Sequence, residues 1–134
     1  MSLTGGCYCG SVRYEAGGAP MFKGQCHCRE CQYITGGGAN LFMVMSPAEF
    51  KYTKGAPAQF ARDDIANPVT REFCPKCGTH LVTRAGGGAM VIVKIGTLDD
   101  PSVFEGPQMA IWMKDAQPYH LVAEGVPQMP GMPG

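Results

Sequence analysis

Seven cysteines in three short clusters constrain this chain of 134 residues more than any other feature of its sequence. They form a Cys-x-Cys at 7–9, a Cys-x-Cys-x-x-Cys at 26–31 and a Cys-x-x-Cys at 74–77. The segment Met1–Gly6 has neither the basic nor the apolar region of a secretory signal, so we expect a cytoplasmic protein with reduced thiols. A full set of disulfides would also leave one cysteine over. The clusters therefore predict metal ligands.

The Cys-x-x-Cys cluster has the chemistry of a zinc knuckle. Pro75 favours a tight turn, and Gly78 can adopt the left-handed conformation that directs backbone N–H groups at sulfur. Zinc takes four ligands in a tetrahedron, so Cys74 and Cys77 need a second pair. Either the N-terminal Cys-x-Cys completes the site, or two cysteines of the middle cluster do. The spacing favours the first pairing, which leaves three cysteines together.

The middle cluster is spaced tightly enough for Cys26, Cys28 and Cys31 to bind one ion as a unit. Three protein ligands and one free position are typical of a catalytic zinc, whereas four protein ligands are typical of a structural one. Two other interpretations carry less weight. Free cysteines can act as small buried hydrophobic residues, and a Cys-x-x-Cys can be redox-active in a βαβ context, which this sequence does not indicate.

The hydrophobic pattern predicts a mainly β chain of antiparallel sheets in one domain. Hydrophobic residues make up 45% of the chain and charged residues 16%, which is typical of a globular protein. No window of a dozen residues keeps a helical apolar period, although Arg29–Ile34 and Pro47–Phe50 resemble helical turns. The predicted strands, rich in β-branched and aromatic residues, are Ser11–Glu15, Leu41–Met45, Gln59–Arg62, Val69–Phe73, Leu81–Arg84 and Met90–Ile95.

Charge argues against two classes of partner. Eleven basic residues balance eleven acidic ones, and no long run of one sign occurs, so we expect neither nucleic-acid nor membrane binding. No segment approaches the roughly 18 apolar residues of a membrane span. The end of the chain, 128–134, consists of Pro, Gly, Met and Gln, and we expect a disordered tail there. The sequence carries no signal for an oligomeric state.

Five segments together resemble the glutathione-dependent formaldehyde-activating enzyme family. The similarity runs from about residue 3 to residue 127, and the order of the cysteine clusters makes it specific. The segments that carry it are Gly5–Tyr14, Cys26–Cys31, Arg71–Thr79, Gly96–Pro101 and Ile111–Trp112.

The resemblance implies a single zinc-binding domain over 3–127, with antiparallel sheets packed in a zinc-stapled Mss4-like (β-tent) fold. It implies two Zn²⁺ sites: a structural one and a catalytic one. It also implies a carbon–sulfur lyase that adds formaldehyde to glutathione, or reverses that addition, so the expected partners are a small thiol and an aldehyde. The implied ligands are Cys7, Cys9, Cys74 and Cys77 for the structural zinc and Cys26, Cys28 and Cys31 for the catalytic zinc.

The remaining polar residues give weaker signals. His27 alternates with ligand cysteines, so in an extended segment its side chain points away from them. We expect it to be half-buried or at the surface, with support of the metal ligands or a proton-shuttle role as the alternative. We expect structural roles for His80 and His120. Arg29 and Lys114 could bind a glutathione carboxylate, but a surface role is the more common one for such residues. Trp112 is as suited to a core as to a substrate wall.

Two non-catalytic functions remain open at the level of sequence. The chain could be a zinc-stapled binding module that buries an apolar patch against a partner. It could instead store or deliver zinc through the three-cysteine site.

Overall fold

Short β-strands punctuated by glycine and proline build this protein. The computed structural model describes residues 2–132, and within them it contains two β-sheets and one α-helix, α1 (Arg29–Thr35). The strands are β1 (Ser2–Gly6), β2 (Arg13–Gly17), β3 (Phe22–Cys26), β4 (Asn40–Met45), β5 (Phe50–Lys54), β6 (Ala58–Phe60), β7 (Thr70–Phe73), β8 (His80–Ala85), β9 (Met90–Lys94) and β10 (Met109–Ile111). The mainly β fold predicted from the sequence is confirmed.

A three-stranded sheet packs on a seven-stranded one. The smaller sheet has the order β1-β2-β5 and the larger β10-β3-β4-β9-β8-β7-β6. All pairings are antiparallel except that of β10 with β3, which is parallel. The connection between β3 and β10 spans most of the chain, so an antiparallel hairpin signal could not have predicted that pair.

Alternation along the central strands gives the larger sheet two different apolar faces. On β4, Met43 and Met45 enter the main core between the sheets, whereas Phe42 and Val44 belong to a second apolar cluster on the other face. On β9, Val91 and Val93 face the main core, and Met90 and Ile92 face the second cluster. This period of two follows from strand geometry. The second cluster also contains Cys26 and Cys31, so the outer face of the sheet carries one candidate site.

The sequence located six of the ten described strands at least in part and missed the other four. The predictions for β4, β7 and β9 differ from the structure by one residue at one end, that for β8 by one residue at each end, and those for β2 and β6 overlap the observed strands in part. Helix α1 extends one residue beyond its predicted helical turn. Pro47–Phe50 contains a 3-10 helix over Pro47–Glu49 before β5 begins. Strands β1, β3, β5 and β10 were not predicted, because glycine, lysine and short length weaken their β pattern.

The C-terminal segment up to residue 132 differs from the predicted disordered tail. The backbone of Ala110 in β10 donates to the carbonyl of Pro127 at 2.9 Å and accepts from the N–H of Met129 at 2.9 Å. The N–H of Trp112 donates to the carbonyl of Gly131 at 3.1 Å. Proline and glycine do not prevent order here, because the edge strand β10 offers unpaired backbone groups that the segment satisfies. Residues 133 and 134 lie outside the described residues.

Candidate metal centres and active site

The four-cysteine cluster joins the loop after β1 to the turn after β7. Cys7 and Cys9 lie on either side of Tyr8, and Cys74 and Cys77 flank the tip of the knuckle. Their four sulfurs all lie within 4.8 Å of one another. Four sulfurs around a zinc at about 2.3 Å would be about 3.8 Å apart. The measured separations of Cys9 Sγ from Cys7 Sγ and Cys74 Sγ are 3.6 and 3.8 Å, so the set fits a tetrahedral zinc.

Local backbone geometry explains why the sulfurs converge in the knuckle. The N–H groups of Lys76 and Cys77 both donate to Cys74 Sγ, at 3.3 and 3.4 Å. Gly78 closes the turn with φ +80° and donates its N–H to the carbonyl of Cys74 at 2.9 Å. Backbone donors stabilise a thiolate, the form that binds metal. The prediction that glycine sits in a left-handed conformation at this position is confirmed by its φ.

In the N-terminal loop, a backbone N–H group also donates to a cysteine sulfur. The N–H of Val12 donates to Cys7 Sγ at 3.2 Å. Burial raises the pKa of Cys7, but this hydrogen bond and one from Ser11 outweigh burial, so the pKa falls to about 7. Thr79 lowers the pKa of Cys77 to about 5, through its side-chain hydroxyl and its backbone N–H. One cysteine at each end of the site, Cys7 and Cys77, therefore has a lowered pKa.

The three-cysteine cluster lies where β3 meets α1. Cys26 ends β3, Cys28 caps the helix by accepting from the N–H of Cys31 at 3.4 Å, and Cys31 lies in the first turn. The three sulfurs lie within 4.8 Å of one another. Hydrogen bonds from Cys26 and then Cys31 hold the pKa of Cys28 well below its ordinary value. Of the two pairings left open by the sequence, the structure therefore has the four-plus-three arrangement.

A buried lysine accompanies this cluster. Lys94 ends β9 and is 7% exposed, and within residues 2–132 it forms no ion pair with a carboxylate. Burial lowers its pKa to about 8, while negative charge at Cys31 opposes that shift. Three thiolates around a divalent ion carry one net negative charge, which the Lys94 ammonium would balance. No sequence pattern marked Lys94, since it ends an otherwise β-branched strand.

A cavity of about 610 Å³ adjoins the three-cysteine cluster on the outer face of the larger sheet. Cys26, Cys31 and Lys94 line it, whereas none of the four cysteines of the other cluster does. Trp112 forms part of its wall and also packs against the second apolar cluster, so it has a packing role as well as a place at the cavity. Asn40 and Lys94 also line a second cavity of about 500 Å³, which reaches Thr79 and His80.

His27 is fully buried, so its expected position near the surface was wrong, although its side chain does point away from the cysteines. Its Nδ1 lies 3.0 Å from His120 Nδ1, and Gln25 Nε2 lies 3.1 Å from its Nε2. His120 Nε2 lies 2.7 Å from the carbonyl of Gly37, and the N–H of Gln117 donates to His120 Nδ1 at 3.0 Å. These contacts require both rings to be neutral, with His27 donating to His120. Burial, followed by the proximity of His120, lowers the pKa of His27.

The contact between His27 and His120 helps to hold the ligand loop, which is the segment from Cys26 to Cys31. Gln32, on α1, donates from Nε2 to the carbonyls of His27 and Asp115, at 2.8 and 2.9 Å. Its Oε1 accepts from Arg29 and from Gln117. The segment around residues 115–120 therefore clamps the loop between Cys26 and Cys31. Sequence reasoning missed this contact because His27 and His120 are 93 positions apart.

His80, Arg29 and Lys114, the remaining residues considered from the sequence, each pack against an aromatic ring. His80 lies in β8, packs against Phe73 and keeps a buried Nδ1 without a hydrogen-bond partner among the described residues. It is not part of either cysteine cluster. Arg29 lies over the ring of Tyr33, and Lys114 lies over the ring of Trp112. No helix among residues 2–132 has the length and apolar character needed to cross a bilayer.

Comparison with known proteins agrees with this geometry. The family model for "Glutathione-dependent formaldehyde-activating enzyme" matches residues 2–115, which include all seven cysteines. A protein of Halomonas elongata named "Putative glutathione-dependent formaldehyde-activating enzyme" is 30% identical over 86 residues, covering 60% of this chain. The chain spans about half of that relative's length, since the match covers 55% of it.

A crystal structure of a Rhodobacter sphaeroides protein shares the fold. It superposes with a TM-score of 0.60 at 16% sequence identity, over 72% of this chain and 88% of the other. At that identity the likeness concerns the fold alone. The match of the family model over most of the chain identifies the family: this protein belongs to the glutathione-dependent formaldehyde-activating enzyme family.

Proposed function

We propose that this protein is a zinc-dependent carbon–sulfur lyase that adds an aldehyde to a thiol, or reverses that addition. One observation supports this function above all: the three-cysteine cluster forms part of the wall of a large cavity, and the four-cysteine cluster does not. A set of thiolates that faces a cavity can meet a substrate. Formaldehyde and glutathione are the aldehyde and thiol that the family name suggests.

The two clusters would hold zinc for different purposes. Cys7, Cys9, Cys74 and Cys77 would form a closed structural site that ties together two distant loops. Cys26, Cys28 and Cys31 would hold the catalytic ion with a position free for substrate. Zinc bound there would lower the pKa of a coordinating thiol and favour negative charge on a nearby carbonyl oxygen. Seven free thiols also favour a reducing compartment, and we propose the cytoplasm.

The protein's own residues supply the rest of the chemistry. The addition joins the thiol sulfur to the aldehyde carbon, and the proton lost by sulfur ends on the former carbonyl oxygen. Lys94 places a buried positive charge beside the thiolates and the cavity, where it would stabilise negative charge on that oxygen. Lys94 is itself buried, and the low dielectric constant of a buried site strengthens such an interaction. The His27–His120 contact keeps the ligand loop in place.

The experiment measures the rate at which the free thiol and its aldehyde adduct interconvert once the mixture is at equilibrium. This rate shows catalysis even though aldehydes and thiols also combine without a catalyst. Exchange spectroscopy by NMR would give the rate of interconversion of glutathione and its formaldehyde adduct, with the zinc-loaded protein and with Cys28→Ser. We expect acceleration by the first and a loss of at least a hundredfold with the second. Tyr33→Ser is a control on the helix that Cys28 caps, since Tyr33 is 80% exposed. Equal acceleration by Cys28→Ser would refute the proposal.

Zinc content separates this function from zinc storage. We expect two zinc ions per chain, with only the environment of the three-cysteine ion altered by glutathione. A store would instead release that ion to a chelator without any acceleration of the exchange.

A further inference from the structure

The cavity beside the three-cysteine cluster is much larger than formaldehyde requires. Its volume of about 610 Å³ lies within the range of roughly 300–1,000 Å³ found for pockets that bind drug-sized ligands. Formaldehyde has two non-hydrogen atoms and would fill a small part of it. The remaining space must suit another part of a substrate.

The walls of this cavity are mostly apolar. Side chains from β4, β9, β10 and the following turn provide them, and Cys26 and Cys31 lie at one end. Trp112 is held with its backbone in the left-handed region, at φ 58°, an uncommon conformation for a bulky residue. Its N–H donates to the carbonyl of Gly131 and its Nε1 to the sulfur of Met132, both at 3.1 Å, and these bonds hold the residue at this wall. The main apolar lining residues are Phe42, Val44, Met90, Ile92, Ile111 and Trp112.

The cavity lining has few polar and charged groups, and it therefore suits an apolar substrate better than it suits glutathione. Only Arg71 and Lys94 carry charge there, and no carboxylate lines the cavity among the described residues. Arg71 is already engaged, since Nη2 donates to Glu30 Oε1 at 3.0 Å and Nη1 to Thr83 Oγ1 at 3.2 Å. Glutathione has two carboxylates, an ammonium group and two peptide bonds. Apart from the two cations, only Asn40 and Thr83 within residues 2–132 line the cavity with polar side chains, and Thr83 already accepts a hydrogen bond from Arg71. These are too few for the ammonium and peptide groups of glutathione, whose burial without partners would be unfavourable.

We infer that the cavity binds the alkyl or aryl group of a hydrophobic substrate, whose reacting thiol or aldehyde lies at the end formed by Cys26, Cys31 and Lys94. This inference rests on the proposed function for the type of reaction, and it adds the class of substrate. The reacting group is polar and small, so the polar end of the cavity suits it. The carbon chain lies along the apolar walls, where burial of its surface stabilises the complex.

Binding can be measured apart from turnover because Trp112 is the only tryptophan of the chain and lines the cavity. Its fluorescence would be titrated in the zinc-loaded protein with unbranched thiols of two to six carbons, with the matching aldehydes, and with glutathione. Full burial of a methylene predicts about fourfold tighter binding for each added carbon. A chain-length dependence for the thiols alone, or for the aldehydes alone, identifies which reactant carries the apolar group. Affinities independent of chain length, or glutathione binding more tightly than hexanethiol, would overturn the inference.

Two variants test the location of the binding site in different ways. Ala85→Phe adds volume at the end of β8 inside the cavity, and Ile92→Thr replaces the ethyl branch of a β9 side chain with a hydroxyl, which makes that part of the wall polar. We expect each to weaken hexanethiol binding about tenfold and ethanethiol binding less than threefold. Ile65→Thr is the matched control, since Ile65 is 46% exposed and lies outside the cavity. Hexanethiol binding unchanged in both folded cavity variants would contradict the proposed location.

The results distinguish failure of this inference from failure of the proposed function. A chain-length dependence without accelerated exchange for any aldehyde would retain the apolar site and reject the lyase. Accelerated exchange of formaldehyde with glutathione, together with affinities independent of chain length, would retain the lyase and reject the apolar substrate.

Discussion

The two cysteine clusters should contribute unequally to stability, and two serine variants can measure the difference. The double variant Cys9→Ser/Cys77→Ser removes one thiolate from each end of the four-cysteine cluster. Cys28→Ser removes one thiolate from the three-cysteine cluster. Each variant leaves two thiolates in its cluster, too few for a zinc site of the usual kind. The comparison therefore isolates what each cross-link does to the chain.

The size of the difference follows from the length of chain that each cluster closes. Cys9 and Cys74 are 65 positions apart, whereas the middle cluster spans five positions, from Cys26 to Cys31. In the chain-entropy model, a cross-link over 65 residues stabilises the fold by about 4 kcal/mol and one over five residues by about 2 kcal/mol. The expected difference of about 2 kcal/mol corresponds to about 8 °C in Tm for a chain of this length.

Thermal unfolding of the zinc-loaded proteins, followed by circular dichroism at one scan rate, is the assay. Zinc content measured by mass spectrometry verifies that each variant has lost one ion and kept the other. We expect the lower Tm for the double variant. An equal Tm, or a lower Tm for Cys28→Ser, would refute the view that the four-cysteine cluster acts mainly as a long-range cross-link.

Two further predictions concern buried polar groups. Burial raises the pKa of Glu72, but hydrogen bonds from Tyr52 (2.6 Å), Arg84 (2.9 Å) and Gln59 outweigh it and keep the pKa below its ordinary value of 4.5. The stabilisation from this carboxylate is therefore present above pH 4.5 and lost as the pH falls through the lower folded-state pKa. Glu72→Gln should lower the free energy of unfolding by about 1.5–3 kcal/mol at pH 7. It should also make the free energy of unfolding fall less steeply in acid. His120→Ala should lower it by about 1–3 kcal/mol, because the buried His27 Nδ1–H loses its acceptor, and hydrogen exchange should become faster in α1.

Matched controls make both outcomes decisive. Glu124→Gln changes an exposed carboxylate and should leave the acid profile unchanged, and Tyr119→Ala changes an exposed neighbour of His120. An acid profile of Glu72→Gln parallel to that of the parent would contradict the assigned role of this carboxylate. Exchange rates in α1 that are equal for His120→Ala and Tyr119→Ala would contradict the clamp around the ligand loop.

Local sequence was sufficient wherever the determining interactions are local. Three features determine local structure over only a few positions: Pro75 and Gly78 in the knuckle, the β-branched run of β9, and the short spacings between cysteines. Their predicted structures are confirmed in the turn at 74–78, in β9 and in the convergence of the sulfurs. The division of seven cysteines into four and three also followed from spacing, although the alternative pairing had remained open.

Contacts between distant parts of the chain left no comparable signal. The pairing of β10 with β3, the His27–His120 contact and the burial of Lys94 each depend on neighbours brought in by the fold. A histidine between two cysteines gives no sign that another histidine 93 positions away will accept a hydrogen bond from it. The cavity was hidden for the same reason, since its walls come from strands that meet only in the folded sheet.

The C-terminal segment that pairs with β10 contributes one residue to the wall of the cavity. Met132 lines the cavity, and Trp112 Nε1 donates to its sulfur at 3.1 Å. The family model matches residues 2–115, a range that contains every cysteine but not Met132. A substitution at Met132 would therefore change the wall of the cavity without altering any of the seven cysteines.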